Sequence, residues 1–110
     1  MPTERERRLV LNEALFRAAN ERAAGWEERH QLEGIELYQC ECANVDCREK
    51  VPLRRIDYER VREDSTHFFI APDHEVLDVE SVIERHEDWL VVQKNPEVQG
   101  IAEATDGRTP

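Results

Sequence analysis

The sequence IELYQCECANVDCREKVPL, residues 35–53, contains all three cysteines of the 110-residue chain. Side chains over 35–40 fall into two alternating sets. One set is Ile35, Leu37 and Gln39, and the other is Glu36, Tyr38 and Cys40. A period of two is typical of a β-strand. Residues 50–53 have the composition of a short returning strand. The segment therefore predicts two strands with the cysteines between them.

Cys40, Cys42 and Cys47 follow the spacing C-x-C-x4-C. On an extended strand, residues i and i+2 point to the same face, so the first two sulfurs can meet at one point. Asn44 and Asp46 are turn formers that can fold Cys47 back over them. Zn2+ accepts thiolates in tetrahedral geometry without redox change. The spacing predicts a zinc site with one position left for a fourth ligand.

Three other interpretations of the cysteines stay open at this point. The thiols could be free and buried, or two of them could form a disulfide. Disulfides are rare in reducing cytosol, and an odd count leaves one thiol unpaired. An iron–sulfur cluster normally takes four cysteines in other spacings.

The fourth ligand has five candidates, which are His30, His67, His74, His86 and Asp46. We favour His74, because it follows Pro72 in a loop whose backbone can bend toward a metal. Glu75 beside it could accept a hydrogen bond from the imidazole. The predicted metal ligands are therefore Cys40, Cys42, Cys47 and His74.

Residues 1–25 are predicted to form an N-terminal helix, since 3–24 are rich in Glu, Arg, Ala and Leu and lack Gly and Pro. Thr3 and Glu6 have the spacing of a capping box, and Gly25 is a natural stop. Two neighbouring stripes along the helix predict an apolar docking face. The first stripe contains Leu9, Asn12, Phe16, Ala19 and Ala23, and the second contains Leu11, Leu15, Ala18 and Arg22. This face should dock on its own domain or on a second copy. A homodimer would use the surface formed by Leu11, Leu15, Phe16 and Ala19.

Residues 35–94 are predicted to form a zinc-binding α+β domain. Helical spacing over 56–64 follows the returning strand, and HFFIAP, residues 67–72, indicates another strand. The segment VESVIERHEDWLVVQK, residues 79–94, indicates two strands around a turn, although a helix over 76–87 fits the same apolar positions.

Residues 95–110 are weakly apolar, contain Pro and Gly, and are predicted to be a partly disordered tail. The predicted fold class is α+β. A long N-terminal helix precedes a small zinc-stapled antiparallel β domain with one further helix.

The formal net charge of −10 is unevenly placed. Residues 1–30 carry six acids and six bases, whereas 31–110 carry nineteen acids and nine bases. Phosphate backbones would repel that part of the chain, which disfavours nucleic acid as a partner. Four arginines are interpreted as a solvated helix face, namely Arg54, Arg55, Arg60 and Arg62.

The apolar runs fall short of the about 20 residues that a membrane span requires. The N-terminus MPTERERRLV lacks the apolar region of a secretion signal. These features predict a cytoplasmic protein that does not span a membrane.

The chain resembles a family of short, mostly actinobacterial proteins that have no assigned activity. The resemblance covers about residues 12–106, and the segments that carry it are NEALFRAANERA, the CEC segment with a third cysteine, VPL, DYERVRED, APDHE and VIERHEDWLVVQK. Family members usually have glycine where this chain has Asp73, and Asp is a tolerable substitute if the position needs a positive φ. The resemblance implies a metal site at Cys40, Cys42, Cys47 and His74 and implies no activity.

The leading functional hypothesis is an interaction or regulatory module rather than an enzyme. A Cys3His zinc site is closed and structural, and the sequence has no HExxH motif or phosphate-binding glycine loop. Glu41 would point away from the metal on a strand, so it is not interpreted as a general base. A basic protein partner would suit the acidic residues of 73–88, namely Asp73, Glu75, Asp78, Glu80, Glu84, Glu87 and Asp88.

Two alternatives remain. In a thiol-based redox or metal sensor, oxidation of the clustered thiolates would expel zinc and loosen the fold. In a zinc hydrolase, which ranks lower, His74 would not be a ligand and water would take the fourth position.

Overall fold

The cysteines lie between two antiparallel strands, as the alternation predicts. The structure is a computed structural model that describes residues 1–31 and 34–108. Strand β1 (Ile35–Gln39) pairs with β2 (Lys50–Arg54) in a register that places Gln39 opposite Lys50. One further hydrogen bond, from Cys40 N to Glu49 O at 3.0 Å, extends this ladder. Residues 40–49 form the loop between the strands, which we name the cysteine loop.

A second antiparallel sheet has three strands in the order β3-β5-β4. They are β3 (His67–Ile70), β4 (Glu80–Arg85) and β5 (Leu90–Lys94). The predicted strand pair within 79–94 is confirmed, and the helical alternative for 76–87 is excluded. Backbone pairing with β5 decides the matter, since the apolar spacing fits both structures.

Three helices complete the α+β fold within the described residues. They are α1 (Glu4–Arg29), α2 (Arg55–Arg62) and α3 (Gln99–Ala104), the last preceded by a 3-10 turn at Pro96–Val98. The predicted α+β fold is confirmed: α2 is the further helix expected within residues 35–94, and α3 lies in the segment predicted to be a tail.

The predicted disorder of the tail from residue 95 is wrong for the segment that forms the 3-10 turn and α3. Val98 and Ala102 are buried in the core, with exposures of 1% and 0%. The Arg17 guanidinium donates to Ala102 O at 2.8 Å, which ties the tail to α1. Residues 109–110 of the predicted tail lie outside the described residues.

Helix α1 begins as predicted and ends later than predicted. Glu6 N donates to Thr3 Oγ1 at 3.1 Å and Thr3 N donates to Glu6 Oε1 at 2.8 Å, which is the capping box. Gly25 does not stop the helix, because Glu27 accepts a hydrogen bond from buried Tyr38 at 2.6 Å. This contact offsets the roughly 1 kcal/mol that glycine costs inside a helix. Residues 32–33, which lie between α1 and β1, are outside the described residues.

The buried side of α1 is largely polar, and Leu9 and Phe16 of the predicted apolar face pack against the edge of the core. Leu11 and Leu15 are 39% and 60% exposed, and Leu9 and Phe16 are only partly buried. The buried residues of the helix are Val10, Glu13, Ala14, Arg17, Asn20, Ala24 and Glu27. Polar side chains can occupy this side because each of them has a partner in the rest of the fold.

Lys94 and two carboxylates form a cluster that is fully buried. Lys94 Nζ lies 2.5 Å from Glu13 Oε2 and also pairs with Glu80 Oε1, and none of the three side chains is exposed. Glu80 Oε2 accepts a further hydrogen bond from Val76 N at 2.9 Å. We name Glu13, Lys94 and Glu80 the buried triad. It joins α1 to β4 and β5.

Two sequence interpretations of surface charge need correction. Arg62 is not on a solvated face, because its side chain is 0% exposed and pairs with Asp106 at 2.6 Å and with Glu21 at 3.3 Å. The acidic face over 73–88 is smaller than predicted, because Glu80 is buried. Glu84 within that face is paired with Arg60 at 2.8 Å.

Within the described residues, every helix is too short or too polar to cross a membrane.

Candidate metal centre

The structure brings Cys40, Cys42, Cys47 and His74 together. One potential ligand atom of each lies within 4.8 Å of those of the other three. The cysteines are buried and His74 is partly buried. We name these four residues the Cys3His cluster. It could hold one metal ion.

The cysteine loop positions its third sulfur through a tight turn. Cys47 N donates to Asn44 O at 2.9 Å, and Asp46 N donates to the Asn44 side-chain oxygen at 3.0 Å. Asn44 therefore forms an Asx turn, the behaviour for which this residue type is favoured in turns. The turn folds Cys47 back toward the other two cysteines, as predicted from Asn44 and Asp46.

His74 reaches the cluster from a turn that follows β3. His74 N donates to Ala71 O at 3.2 Å, and Pro72 and Asp73 occupy the two central positions. Asp73 has φ 71°, which is the conformation that a type II turn requires at its third residue. The sequence allowed for a positive φ at Asp73, and the backbone has one.

The same turn also contacts a sulfur directly. Ala71 N donates to Cys40 Sγ at 3.1 Å. A backbone N–H aimed at a sulfur stabilises the thiolate that a metal requires. Residues 71–74 thus supply both an imidazole and a backbone donor to the cluster.

The separations between the groups suit a tetrahedral ion. His74 Nδ1 lies 3.4 Å from Cys40 Sγ and 3.7 Å from Cys47 Sγ. Zinc bonds of about 2.3 Å to sulfur and about 2.0 Å to nitrogen place such pairs about 3.5 Å apart in a tetrahedron. The two nitrogen–sulfur separations are therefore those expected between ligands of one tetrahedral ion.

The thiols differ in their readiness to lose a proton. The hydrogen bond from the Cys40 thiol lowers the pKa of Cys42 to about 5. The same hydrogen bond, together with burial, raises the pKa of Cys40. Burial also raises the pKa of Cys47. The cluster thus offers one ready thiolate, and an incoming cation would displace protons from the other two sulfurs.

The remaining candidates for a fourth ligand lie elsewhere. His30 stacks on Trp26 with ring centroids 4.0 Å apart, and His86 stacks on Trp89 at 3.8 Å. His67 lies 3.4 Å from Asp64. Asp46 is exposed on the cysteine loop. None of these side chains joins the Cys3His cluster among the described residues.

The predicted contact between Glu75 and the imidazole is absent from the described hydrogen bonds. Glu75 Oε1 is buried without a hydrogen-bond partner in the described part of the chain.

Glu41 has a structural position that the sequence did not reveal. It is fully buried, and Asn20 of α1 donates to its Oε2 at 3.0 Å. Burial raises the pKa of this carboxyl to about 7, although Asn20 and nearby arginines act in the opposite direction. Its carboxylate faces α1 and is not a member of the Cys3His cluster. No local pattern marks it, because Asn20 is distant in sequence.

Comparisons of the chain with protein-family models, with curated proteins and with solved structures gave no match. The resemblance to the actinobacterial family therefore stays a prediction.

Proposed function

We propose that the protein binds one Zn2+ through Cys40, Cys42, Cys47 and His74, and that this ion is structural. The observation that carries the proposal is the convergence of three sulfurs and one imidazole nitrogen within 4.8 Å. Three of the four donors come from one loop, and the fourth comes from a turn in another part of the fold.

The donor set favours zinc over other biological cations. Thiolates and imidazole are soft or borderline ligands, whereas Mg2+ and Ca2+ take oxygen. A tetrahedral set of three sulfurs and one nitrogen is common for structural zinc. Iron–sulfur clusters usually use four cysteines, and this chain has three.

The position of the cluster supports a structural role. The cysteine loop belongs to the two-stranded sheet, and His74 follows β3 of the three-stranded sheet. An ion bound to both would join the two sheets. Four protein ligands also complete a tetrahedron, which leaves no position for the water of a zinc hydrolase.

A sensor is the second candidate, because Cys42 has a lowered pKa and lies beside two more thiols. Reactive thiolates are typically accessible to oxidants. Here Cys40, Cys42 and Cys47 are only 0%, 2% and 6% exposed, so the structural role ranks first.

We further propose that the stapled domain acts as a protein-interaction or regulatory module in the cytoplasm. Three free cysteines in a small domain suit a reducing compartment. Exposed Leu11 and Leu15 on α1 provide apolar surface for a partner or a second copy.

The test is elemental analysis of protein purified without added metal. We expect about one zinc per wild-type chain, by the coordination argument above. The Cys42→Ser and His74→Ala variants should lose zinc or bind it far more weakly. His86→Ala is the matched control, since His86 is an exposed histidine outside the cluster. Wild-type protein without metal, or full zinc in both cluster variants, would overturn the proposal.

A further inference from the structure

A groove lies between α1 and the cysteine loop, with a volume of about 480 Å3. Its apolar lining includes Leu15, Phe16 and Ala19 from the helix and Val45 from the loop. Leu15 is 60% exposed and Val45 is 48% exposed. Apolar side chains that line an open groove mark a binding surface more often than scattered exposed residues do.

The groove continues onto the outer face of the two-stranded sheet. Gln39 and Lys50 line the groove and are paired across β1 and β2. Side chains alternate along a strand, so Leu37 and Ile35 lie on the same face as Gln39. Leu37 is 68% exposed and Ile35 is 64% exposed. The apolar surface therefore extends beyond the groove itself.

The charged residues that line the groove are all cations, namely Arg22, Arg48 and Lys50. The described hydrogen bonds of Arg48 and Lys50 end on neutral oxygens, those of Val45, Cys47 and the Gln39 side chain. No acidic residue lines the groove in the described part of the chain. A positive surface of this kind is unusual in a chain of net charge −10.

The charge of the groove selects between occupants. In a symmetric dimer, the same patch meets itself, so three cations of one copy would face three of the other. Like charges across an interface cost several kcal/mol. A segment with apolar side chains flanked by carboxylates complements both the lining and the charge.

We propose that this groove binds an acidic amphipathic helix of another protein, with its apolar side chains against Leu15 and Val45 and its carboxylates against Arg22, Arg48 and Lys50. The inference rests on the proposed function, because Val45 and Arg48 flank the ligand Cys47 within the cysteine loop. A bound ion would hold that wall of the groove in place.

The test is fluorescence anisotropy with the full zinc-loaded chain and a labelled helical peptide. The peptide has leucines along one face and glutamates on both sides of them. Its matched control has lysine at every glutamate position. We expect the glutamate peptide to bind at least about tenfold more tightly than the lysine peptide, with affinity that falls as salt is added.

Two groove variants sharpen the test. Leu15→Asp should abolish binding, since it places a carboxylate among the apolar contacts. The double variant Arg22→Glu and Lys50→Glu should weaken binding by about tenfold or more, because two attractions become repulsions. Arg85→Glu on β4 is the matched control, since Arg85 is exposed and does not line the groove, and it should bind as the wild type does.

Zinc content is measured on the same samples. A zinc-loaded protein that binds both peptides equally, or neither, overturns this inference and leaves the proposed function standing. Purified protein without metal overturns the proposed function instead. If the protein self-associates and Leu15→Asp abolishes this, the occupant of the groove is a second copy of the chain. If the protein binds vesicles of anionic phosphatidylserine and not the peptide, the occupant is a membrane surface. Either result overturns the inference.

Discussion

The Cys3His cluster and the buried triad are both polar groups set into the core, and they differ in how their charges are compensated. In the triad, Lys94 lies between Glu13 and Glu80, so the chain itself supplies the opposite charges. In the Cys3His cluster, three sulfurs and one imidazole lie together. If the cluster holds a metal ion as proposed, the compensating charge comes from outside the chain.

The difference assigns separate roles to the two regions. The triad connects α1 to the three-stranded sheet through side chains of the chain alone. The cluster brings the cysteine loop and the turn after β3 together, and under the proposed function the strength of this connection follows the supply of metal. The proposal thus contrasts a polar connection that needs no added ion with one that does.

Removal of the metal should have the largest effect. Structural zinc contributes about 10–16 kcal/mol of binding free energy in small zinc domains, so chelation should remove several kcal/mol of stability. In a domain of this size, each kcal/mol of lost stability lowers the unfolding temperature by about 4–8 °C. Chelation should therefore lower it by roughly 10 °C or more. Thermal unfolding followed by circular dichroism, with and without a strong chelator, measures the shift.

The Cys42→Ser variant is the control for that experiment. It should already unfold at the lower temperature and respond little to the chelator. If the unfolding temperature of the wild type does not change on chelation, the Cys3His cluster contributes no metal-dependent stability. The proposed difference between the cluster and the triad would then be wrong.

Breaking the triad with Lys94→Met should have the next largest effect. It leaves two buried carboxylates without their cation, and such a loss typically costs about 3–5 kcal/mol. Urea unfolding at neutral pH measures the change. Zinc content should stay at the wild-type level, because the triad and the cluster do not share residues.

The pH dependence of that variant separates a charge effect from a loss of packing. Burial raises the folded-state pKa of Glu13 well above its ordinary 4.5, although Lys94 acts in the opposite direction. A carboxyl with a raised folded-state pKa costs stability as the pH rises above 4.5. Without Lys94 that cost grows, so Lys94→Met should be more destabilising at neutral pH than near pH 4.5. An equal loss at both values would point to packing instead.

Asp73 should give the smallest effect. Its φ of 71° favours glycine, so Asp73→Gly should be neutral or should stabilise the protein by up to about 1 kcal/mol. Asp73→Val should destabilise by about 1–3 kcal/mol and weaken zinc binding, since a β-branched residue resists this conformation. Competition with a zinc-binding dye measures affinity, and urea unfolding measures stability. If the glycine and valine variants have equal stability and equal zinc affinity, the conformation of Asp73 does not position His74 in the cluster.

Sequence reasoning reached the Cys3His cluster because most of its information is local. Cys40, Cys42 and Cys47 lie within one loop, and their spacing alone predicts that their sulfurs can meet. His74 was one of five candidates, and the choice rested on the bend expected after Pro72. Strand β1 was also predictable, since alternation is a local property, whereas the apolar spacing of 76–87 left β4 open to a helix.

The same reasoning failed on α1 and the tail because their partners are distant in sequence. Glu13 lies 81 residues from Lys94, and Arg17 lies 85 residues from Ala102. A pattern rule places charged residues such as these on the surface, so it did not show that α1 buries them. The tail is ordered by Arg17, which no composition rule connects with it.

The sequence by itself determined the α+β class, the capping box of α1, the cysteine loop with its two flanking strands, and the donor types of the candidate metal centre. These features depend on periodicity and short spacing, which act within a few residues. Only the tertiary structure decided which side of α1 is buried, which histidine meets the cysteines, and where a cationic apolar groove lies in an acidic chain. Those outcomes depend on desolvation and pairing between segments far apart in the chain, and a buried charge is stable only where the fold supplies its partner.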